Sequence, residues 1–516
     1  MREPTKISFK LPNLNSLVLT MLLCNSNAFA QEQTYFENMK SGIQSLIKPK
    51  EDHSFSTVQL KELSNFDFEP DAFVGELPVV MPTISGQNLD SPKASDTPPL
   101  THQVALQKQY RLDEIVKIAV MRNPTIAQSV ASLASQNANI DVVKSQYYPQ
   151  LRAGVNSGDF TSGNRNRQVY NVEASQLLYD FGKVGASVDT EKARLALQQA
   201  TVLIAIDDIA TQTTRSLLGV LRYRELVKIA DQQLKGVSRL YDIALLRARA
   251  GISSNADPVQ ALSYVEFAKS YLIVQQNLLK QEEQKLRTLL GFPVERIEFS
   301  VPTEFVLQSG IDKELELNTI PSMIAAKAEI DVAREQKHQN ELSRYPTVSL
   351  VGSVSKALNG DHPSTGKRND LDSALSVSMS SNFYQGGAVS SQIKAASFAE
   401  QAARSKLNAA YLDVLDVTRT ARENINNTEK QMAVLKEREN STAKTKELYE
   451  EQYKLGKRSI LDLLSSEQSF HSSKMEWESA RYSIYDTIAT YIYASGKSRD
   501  VYQLNNTKIQ GFEVQP

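Results

Sequence analysis

Side chains able to do acid–base, nucleophilic or metal chemistry are sparse here and poorly spaced for it. The five histidines, His53, His102, His338, His362 and His471, are scattered with no metal-ligand interval between them. The single cysteine, Cys24, leaves no partner for a disulfide and no cysteine metal site. There is no phosphate-binding P-loop, no nucleophile-elbow serine and no dinucleotide glycine set. Carboxylates are plentiful, but they stand in mixed-charge runs such as Lys436-Glu437-Arg438-Glu439, which read as solvated helix faces. The expectation is a protein without catalytic residues, cofactor or metal. Its 58 Lys and Arg against 59 Asp and Glu also give no electrostatic footprint for a nucleic-acid partner.

What the sequence offers instead is architecture. Residues 1–30 read as a signal peptide. Arg2, Lys6 and Lys10 precede a short apolar core, Leu17 to Leu23, and Ala28-Phe29-Ala30 fits the cleavage pattern, leaving Gln31 as the mature N-terminus. That core is much too short to cross a bilayer as a helix. Leu23 stands where a lipoprotein signal needs a small residue before its cysteine, so no lipid anchor is expected on Cys24. Residues 31–105, rich in Pro, Asp, Ser and Thr and without a period, read as a loosely ordered extension.

From residue 106 the chain carries one plan twice. Pro124 and Pro321 open helical runs, and Tyr148-Pro149 and Tyr345-Pro346 close them, at an offset of 321 − 124 = 197. Further on, Tyr179/Tyr384, Gly182/Gly387, Gly251/Gly456, Asp257/Asp462 and Gly291/Gly496 are all 205 apart. The first repeat is assigned to 106–297, a linker to 298–319, the second repeat to 320–497 and a tail to 498–516. A period this long marks a duplicated domain rather than a short-repeat solenoid.

Each copy predicts the same elements. A helix of about 35 residues ends at Tyr-Pro, because proline disfavours helix in the residue before it. A hairpin follows, with Leu151, Ala153 and Val155 alternating with polar residues and returning through Tyr170, Val172 and Ala174. In the second copy the alternation is Val348, Leu350 and Val354, then Leu375, Val377 and Met379. The turns between are Gly158 to Gln168 and Lys356 to Asp370. Next comes a very long helix with apolar residues at coiled-coil spacing: Leu203, Ile206, Ala210, Leu217, Leu221, Val227, Leu234, Val237 and Tyr241 in copy one. Only Gly219 and Gly236 interrupt it. Tip turns at Gly251 and Gly456 reverse the chain, with Asp257 as expected helix cap and Pro258 at the first helical position.

Four strands cannot close a membrane barrel alone, because a membrane sheet cannot leave an edge open. Three chains would supply about 12 strands, a known barrel size. Tyr148, Tyr179, Phe181, Tyr345, Phe383 and Tyr384 fall where strands meet helices and would form an aromatic girdle at the lipid interface. The rival reading is a soluble periplasmic coiled-coil scaffold, which has no need of hairpins flanked by aromatics.

The paired Tyr-Pro ends, the switches Leu178-Tyr179-Asp180-Phe181-Gly182 and Phe383-Tyr384-Gln385-Gly386-Gly387, and the two Gly-to-Asp tips resemble the TolC family of outer-membrane efflux channels over about 110–497. The resemblance implies a mainly α fold with a small β part: a homotrimer with a 12-stranded outer-membrane barrel and a periplasmic α-helical tunnel. It implies a periplasmic adaptor protein, an inner-membrane ABC or proton-driven exporter and outer-membrane lipid as partners, and no enzymatic activity. It also implies a periplasmic gate, carried residue by residue onto Asp257, Tyr453, Arg458 and Asp462. An Asp–Arg link with a tyrosine hydroxyl nearby suits a reversible latch. Asp462 from three protomers would also make an acidic ring at the entrance, weaker here because a second aspartate frequent in the family is Ser465. The missing lipid-anchor cysteine favours type I protein secretion slightly over multidrug efflux.

Overall fold

The computed structural model describes residues 109–158, 167–302, 304–358, 360–382 and 384–514. The expected signal peptide, the N-terminal extension, Phe383 and most of the Gly158 to Gln168 turn lie outside the described residues. The order is β1 (Gln109–Arg111), α1 (Leu112–Arg122), α2 (Pro124–Lys144), β2 (Gln150–Gly158), β3 (Arg167–Tyr179), α3 (Lys183–Arg249), α4 (Ala256–Leu290), β4 (Glu298–Ser300) and α5 (Glu304–Gln308). Then come α6 (Pro321–Leu342), β5 (Thr347–Leu358), β6 (Leu371–Ser380), α7 (Ala388–Lys454), α8 (Ile460–Ala494), α9 (Ser498–Val501), β7 (Lys508–Ile509) and β8 (Phe512–Glu513).

The duplication is visible in the elements. α3 and α7 have 67 residues each, and α4 and α8 have 35 each. The long helices start and end 388 − 183 = 454 − 249 = 205 residues apart. At about 1.5 Å per residue each spans about 100 Å. The first helical run is not the single helix of about 35 residues expected. It breaks at Asn123-Pro124, where proline holds Asn123 extended (φ −69°, ψ 125°). The Asn123 side chain then accepts from Thr125 N at 2.8 Å and starts α2 afresh.

The seam of α3 also differs in detail from the periodicity. Beyond residue 225 the buried positions include Leu226, Ile229, Gln233, Val237, Leu240 and Ala244, at steps of three and four. The expected Val227 and Leu234 lie half-buried beside that seam. Gly219 and Gly236 do not interrupt the helix. Each is a bare stretch of backbone on which a glutamate from a neighbouring helix lies, Glu282 of α4 and Glu467 of α8.

β2, β3, β5 and β6 form one antiparallel sheet in that order. Its register lines up Leu151, Ala174, Gly352 and Leu375 in one row and Arg152, Glu173, Ser353 and Ala374 in the next. The alternation in all four strands therefore falls in phase, giving one apolar and one more polar face. The main core lies where the helices cross. Ile115, Ile126 and Leu133 meet Ile206 and Leu217 of α3, Leu286 and Leu290 of α4, and Ile488 and Ile492 of α8. Tyr502 and Ile509, from the C-terminal segment, complete it. A second cluster, with Leu240, Ala261, Tyr453, Ile460 and Leu464, joins the two hairpin tips.

Candidate channel wall and periplasmic tip

The sheet buries neither of its apolar edges nor its apolar face. Leu151, Val155, Val172, Leu375, Val377 and Met379 are all more than half exposed, Leu375 at 76%. Exposed apolar residues on one continuous face need an apolar solvent or a partner. At the base of the sheet Tyr148, Tyr179, Phe181, Tyr345 and Tyr384 are exposed as well, Tyr384 at 86%. Phe181 sits edge-on to Tyr179 at 4.7 Å and stacks on Tyr345 at 5.4 Å between ring centres, so the two copies share one aromatic cluster.

The strand-to-helix switch depends on Asp180, Phe181 and Gly182. Phe181 (φ 59°) and Gly182 (φ 88°) both take left-handed backbone. Asp180 holds this bend by accepting from Gly182 N at 2.9 Å and Val184 N at 2.6 Å. The second copy has Gly386 and Gly387 in left-handed backbone instead, with Gln385 in place of the aspartate.

At the tips both long helices end alike. Gly251 (φ 72°) and Gly456 (φ 71°) allow the next amides to fold back, Ile252 N to Arg247 O and Lys457 N to Gln452 O, both at 2.9 Å. The descending helices begin differently from expectation. Asp257 is not the cap of α4. The turn residue Asn255 is already helical, so the helix opens at Ala256, and Ser254 Oγ accepts from Ala256 N at 3.1 Å. Asp257 and Pro258 follow inside the first turn, where a missing N–H costs nothing. At the other tip Ser459 caps α8 and Asp462 reciprocates in a capping box.

Three of the four gate residues gather around the second tip. Arg458 Nη1 is 3.8 Å from Asp462 Oδ2, its Nε donates to Gln452 at 3.0 Å, and its guanidinium lies over the Tyr449 ring. Tyr453 is buried, and Arg247 covers its ring at 4.8 Å. Burial pushes the Tyr453 hydroxyl up, Arg247 pulls it back and the Asp257 carboxylate adds to the rise. That hydroxyl is buried without a hydrogen-bond partner among the described residues. Within one chain no ion pair joins Asp257 to Arg458 among the described residues. Sequence reasoning missed Arg247 and Tyr449, whose roles come only from the packing of one hairpin on the other. Around the tips Leu246, Ile252, Val259 and Leu455 are each at least 65% exposed.

Above the tip, Glu467 is 1% exposed, pairs with Lys446 at 2.9 Å and meets His471 Nε2 at 3.1 Å. Burial opposes its charge, but bonds from His471 and Lys446 hold its carboxyl below the usual range. Lys446 belongs to α7, Glu467 and His471 to α8, and Gly236 to α3, so the triad ties three helices together. Of the five histidines scattered in the sequence, the fold buries and bonds His362 and His471.

A sheet with an exposed apolar face and, among the described residues, two free edges, carried on helices of about 100 Å, defines a protomer of a membrane channel with a helical tunnel. A family model described as "Outer membrane efflux protein" matches residues 115–292 and 314–496. The chain belongs to the outer membrane efflux protein family; it is an outer-membrane protein and not an enzyme. It is 24% identical over 440 residues to outer membrane protein TolC of Escherichia coli (strain K12), covering 80% of this chain and 88% of that one. It is 24% identical over 424 residues to the TolC of Salmonella enteritidis, covering 78% and 85%. The crystal structure of the outer membrane protein VceC from Vibrio cholerae shares the fold at a TM-score of 0.64 and 16% identity, over 75% of this chain and 96% of that one. Among the described residues no helix is long and apolar enough to cross a membrane.

Proposed function

We propose that three copies of this chain close their sheets into a 12-stranded barrel in the outer membrane, continued into the periplasm by a tunnel of helices. The carrying observation is the in-phase sheet with its outer strands, β2 and β6, each paired on one side only among the described residues. A lipid-facing sheet must pair those edges, and a further copy offers the matching edge. The helices support the same reading. α3 buries 24 of its 67 residues and α7 only 9 of its 67. α7 exposes Phe398, Leu412, Val434 and Leu448, and α4 exposes Val259, Phe267, Ile273 and Val274, apolar faces suited to neighbouring protomers.

The channel works with a periplasmic adaptor and an inner-membrane ABC or proton-driven exporter. The exposed apolar residues at both tips support docking of the adaptor there. The gate is formed by Asp257, Tyr453, Arg458 and Asp462, with Asp257 completing the latch by pairing to a neighbouring protomer. Arg458 and Asp462 keep 39% and 40% of their side-chain surface exposed, which supports this, since a second chain can reach them. Exposed pairs of this kind contribute about 0–1 kcal/mol each, so a threefold set holds the tip closed yet releases on docking. Asp462 from three chains would form an acidic ring at the entrance, selecting cations.

Purified protein in planar bilayers should give discrete conductance steps and should be recovered from outer-membrane fractions. A soluble periplasmic scaffold, the other reading, would give neither. Protein is the proposed cargo and small toxic compounds the second reading. Deleting the gene separates them: loss of a secreted protein supports the first, and drug sensitivity with secretion intact supports the second.

A further inference from the structure

His362 is 2% exposed although it lies in the connection between β5 and β6, described over 360–370. Both ring nitrogens are engaged. Nε2 is 2.8 Å from Ser355 Oγ on β5, and Nδ1 faces Ser364 N at 3.2 Å. Its backbone is engaged too: its N–H donates to Lys367 O at 2.7 Å and its carbonyl accepts from Gly366 N at 2.9 Å. Asn369 N donates to Gly360 O at 2.9 Å, and Asp361 bridges Arg368. The connection is thus a small clasp closed on one imidazole.

Hydrogen-bond direction fixes the imidazole proton. The amide of Ser364 can only donate, so Nδ1 is bare and the proton sits on Nε2, donated to Ser355 Oγ. Ser355 and His362 are therefore not a nucleophile and its base, since no imidazole lone pair faces the hydroxyl. The same geometry makes the clasp intolerant of a second proton. A proton on Nδ1 would point at the Ser364 N–H and place an unpartnered charge in a buried site.

We propose that His362 is an acid-released latch: its neutral form holds the β5–β6 connection folded, and protonation opens it. The charged groups around it nearly balance. Asp361 and Asp370 in the connection, and Asp372 on β6, stand against Lys367, Arg368 and Lys356 of β5. The Thr365 hydrogen bond, then the Leu371 amide and the charge of Lys367, hold the Asp370 carboxyl below its usual range. No excess of positive charge around the ring therefore forbids a second proton. Histidines as a class change charge between about pH 5 and pH 8. The latch follows from this chain alone; its position at the outer mouth of the channel rests on the function proposed above.

Amide hydrogen exchange on the intact protein in detergent tests it, at about pH 7.5 and about pH 5.5 and corrected for intrinsic rates. Protection of the Gly366 and Asn369 amides should fall about tenfold or more at the lower pH, with α3 unchanged. His362→Asn puts a non-titrating acceptor at the Nδ1 position and should keep its protection at both values. Equal protection of the unaltered protein at both values would overturn the latch. So would an equal acid loss in His362→Asn. If that variant fails to close at neutral pH, the 15N shifts of the native imidazole decide: a proton on Nδ1 instead of Nε2 overturns the proposal. These readouts do not depend on assembly or conductance, so they stand or fall apart from the channel reading.

Discussion

Gly236 of α3 lies directly beneath the carboxylate of Glu467 from α8, close enough that any Cβ there would overlap Oε1. Helix interiors ordinarily gain about 1 kcal/mol when glycine becomes alanine. Here the methyl would push aside a buried carboxylate bonded to Lys446 and His471. Gly236→Ala should therefore destabilise the protein, by about 1–3 kcal/mol as overpacking does. Gly219→Ala is the control, because it meets only the methylene and carboxylate of Glu282 at 3.0 Å. That side chain pairs with the exposed Lys285 and can shift. Thermal unfolding followed by circular dichroism should show a lower midpoint for Gly236→Ala and little change for Gly219→Ala.

Asp207 gives a pH-dependent prediction. It is buried between α3 and the C-terminal segment, and burial pushes its carboxyl up to about 7, with Arg499 and Ser498 opposing and Asp208 adding to the rise. The folded state therefore prefers the protonated form. Its destabilising effect is absent below the unfolded value near 4, grows as pH rises and is complete above about 7. Asp207→Asn, which mimics the neutral acid, should raise the melting temperature at about pH 8, by up to about 4 kcal/mol in stability. The gain should vanish near pH 4. A gain that is the same at both values would contradict the assignment.

The gate predicts a conductance change. Asp257→Ala combined with Arg458→Ser removes the latch but leaves the Ser459 cap of α8 in place. Single channels should conduct more, and cells should admit large antibiotics. Unchanged conductance from an intact assembly would mean that these residues serve only the local tip structure.

The repeat and its strands were legible because they are written in local sequence. Gly251 and Gly456 mark the tips by backbone need alone. Leu375, Val377 and Met379 alternate with serines, and one residue of slip would have turned them to the other face. What was hidden depends on neighbours far along the chain. Gly236 reads as a weak point until Glu467, 231 residues on (467 − 236), is seen against it. His362 and His471 look idle because their partners are a turn amide, a strand hydroxyl and a buried carboxylate, none recognisable as a motif. Asp257 followed by proline looks like a cap, but a turn that is already helical moves the start two residues back, from Pro258 to Ala256. The Asn123-Pro124 break is legible in the proline that opens α2, but the apolar pattern continues across it, so the two helices read as one run.

Native mass measurement of the detergent-extracted protein tests the central claim most directly. Four strands whose two edges are free among the described residues require closure by further copies in lipid, and three give a 12-stranded barrel. The account predicts a single species with three times the mass of the mature chain. A monomer or dimer under the same mild conditions would contradict it.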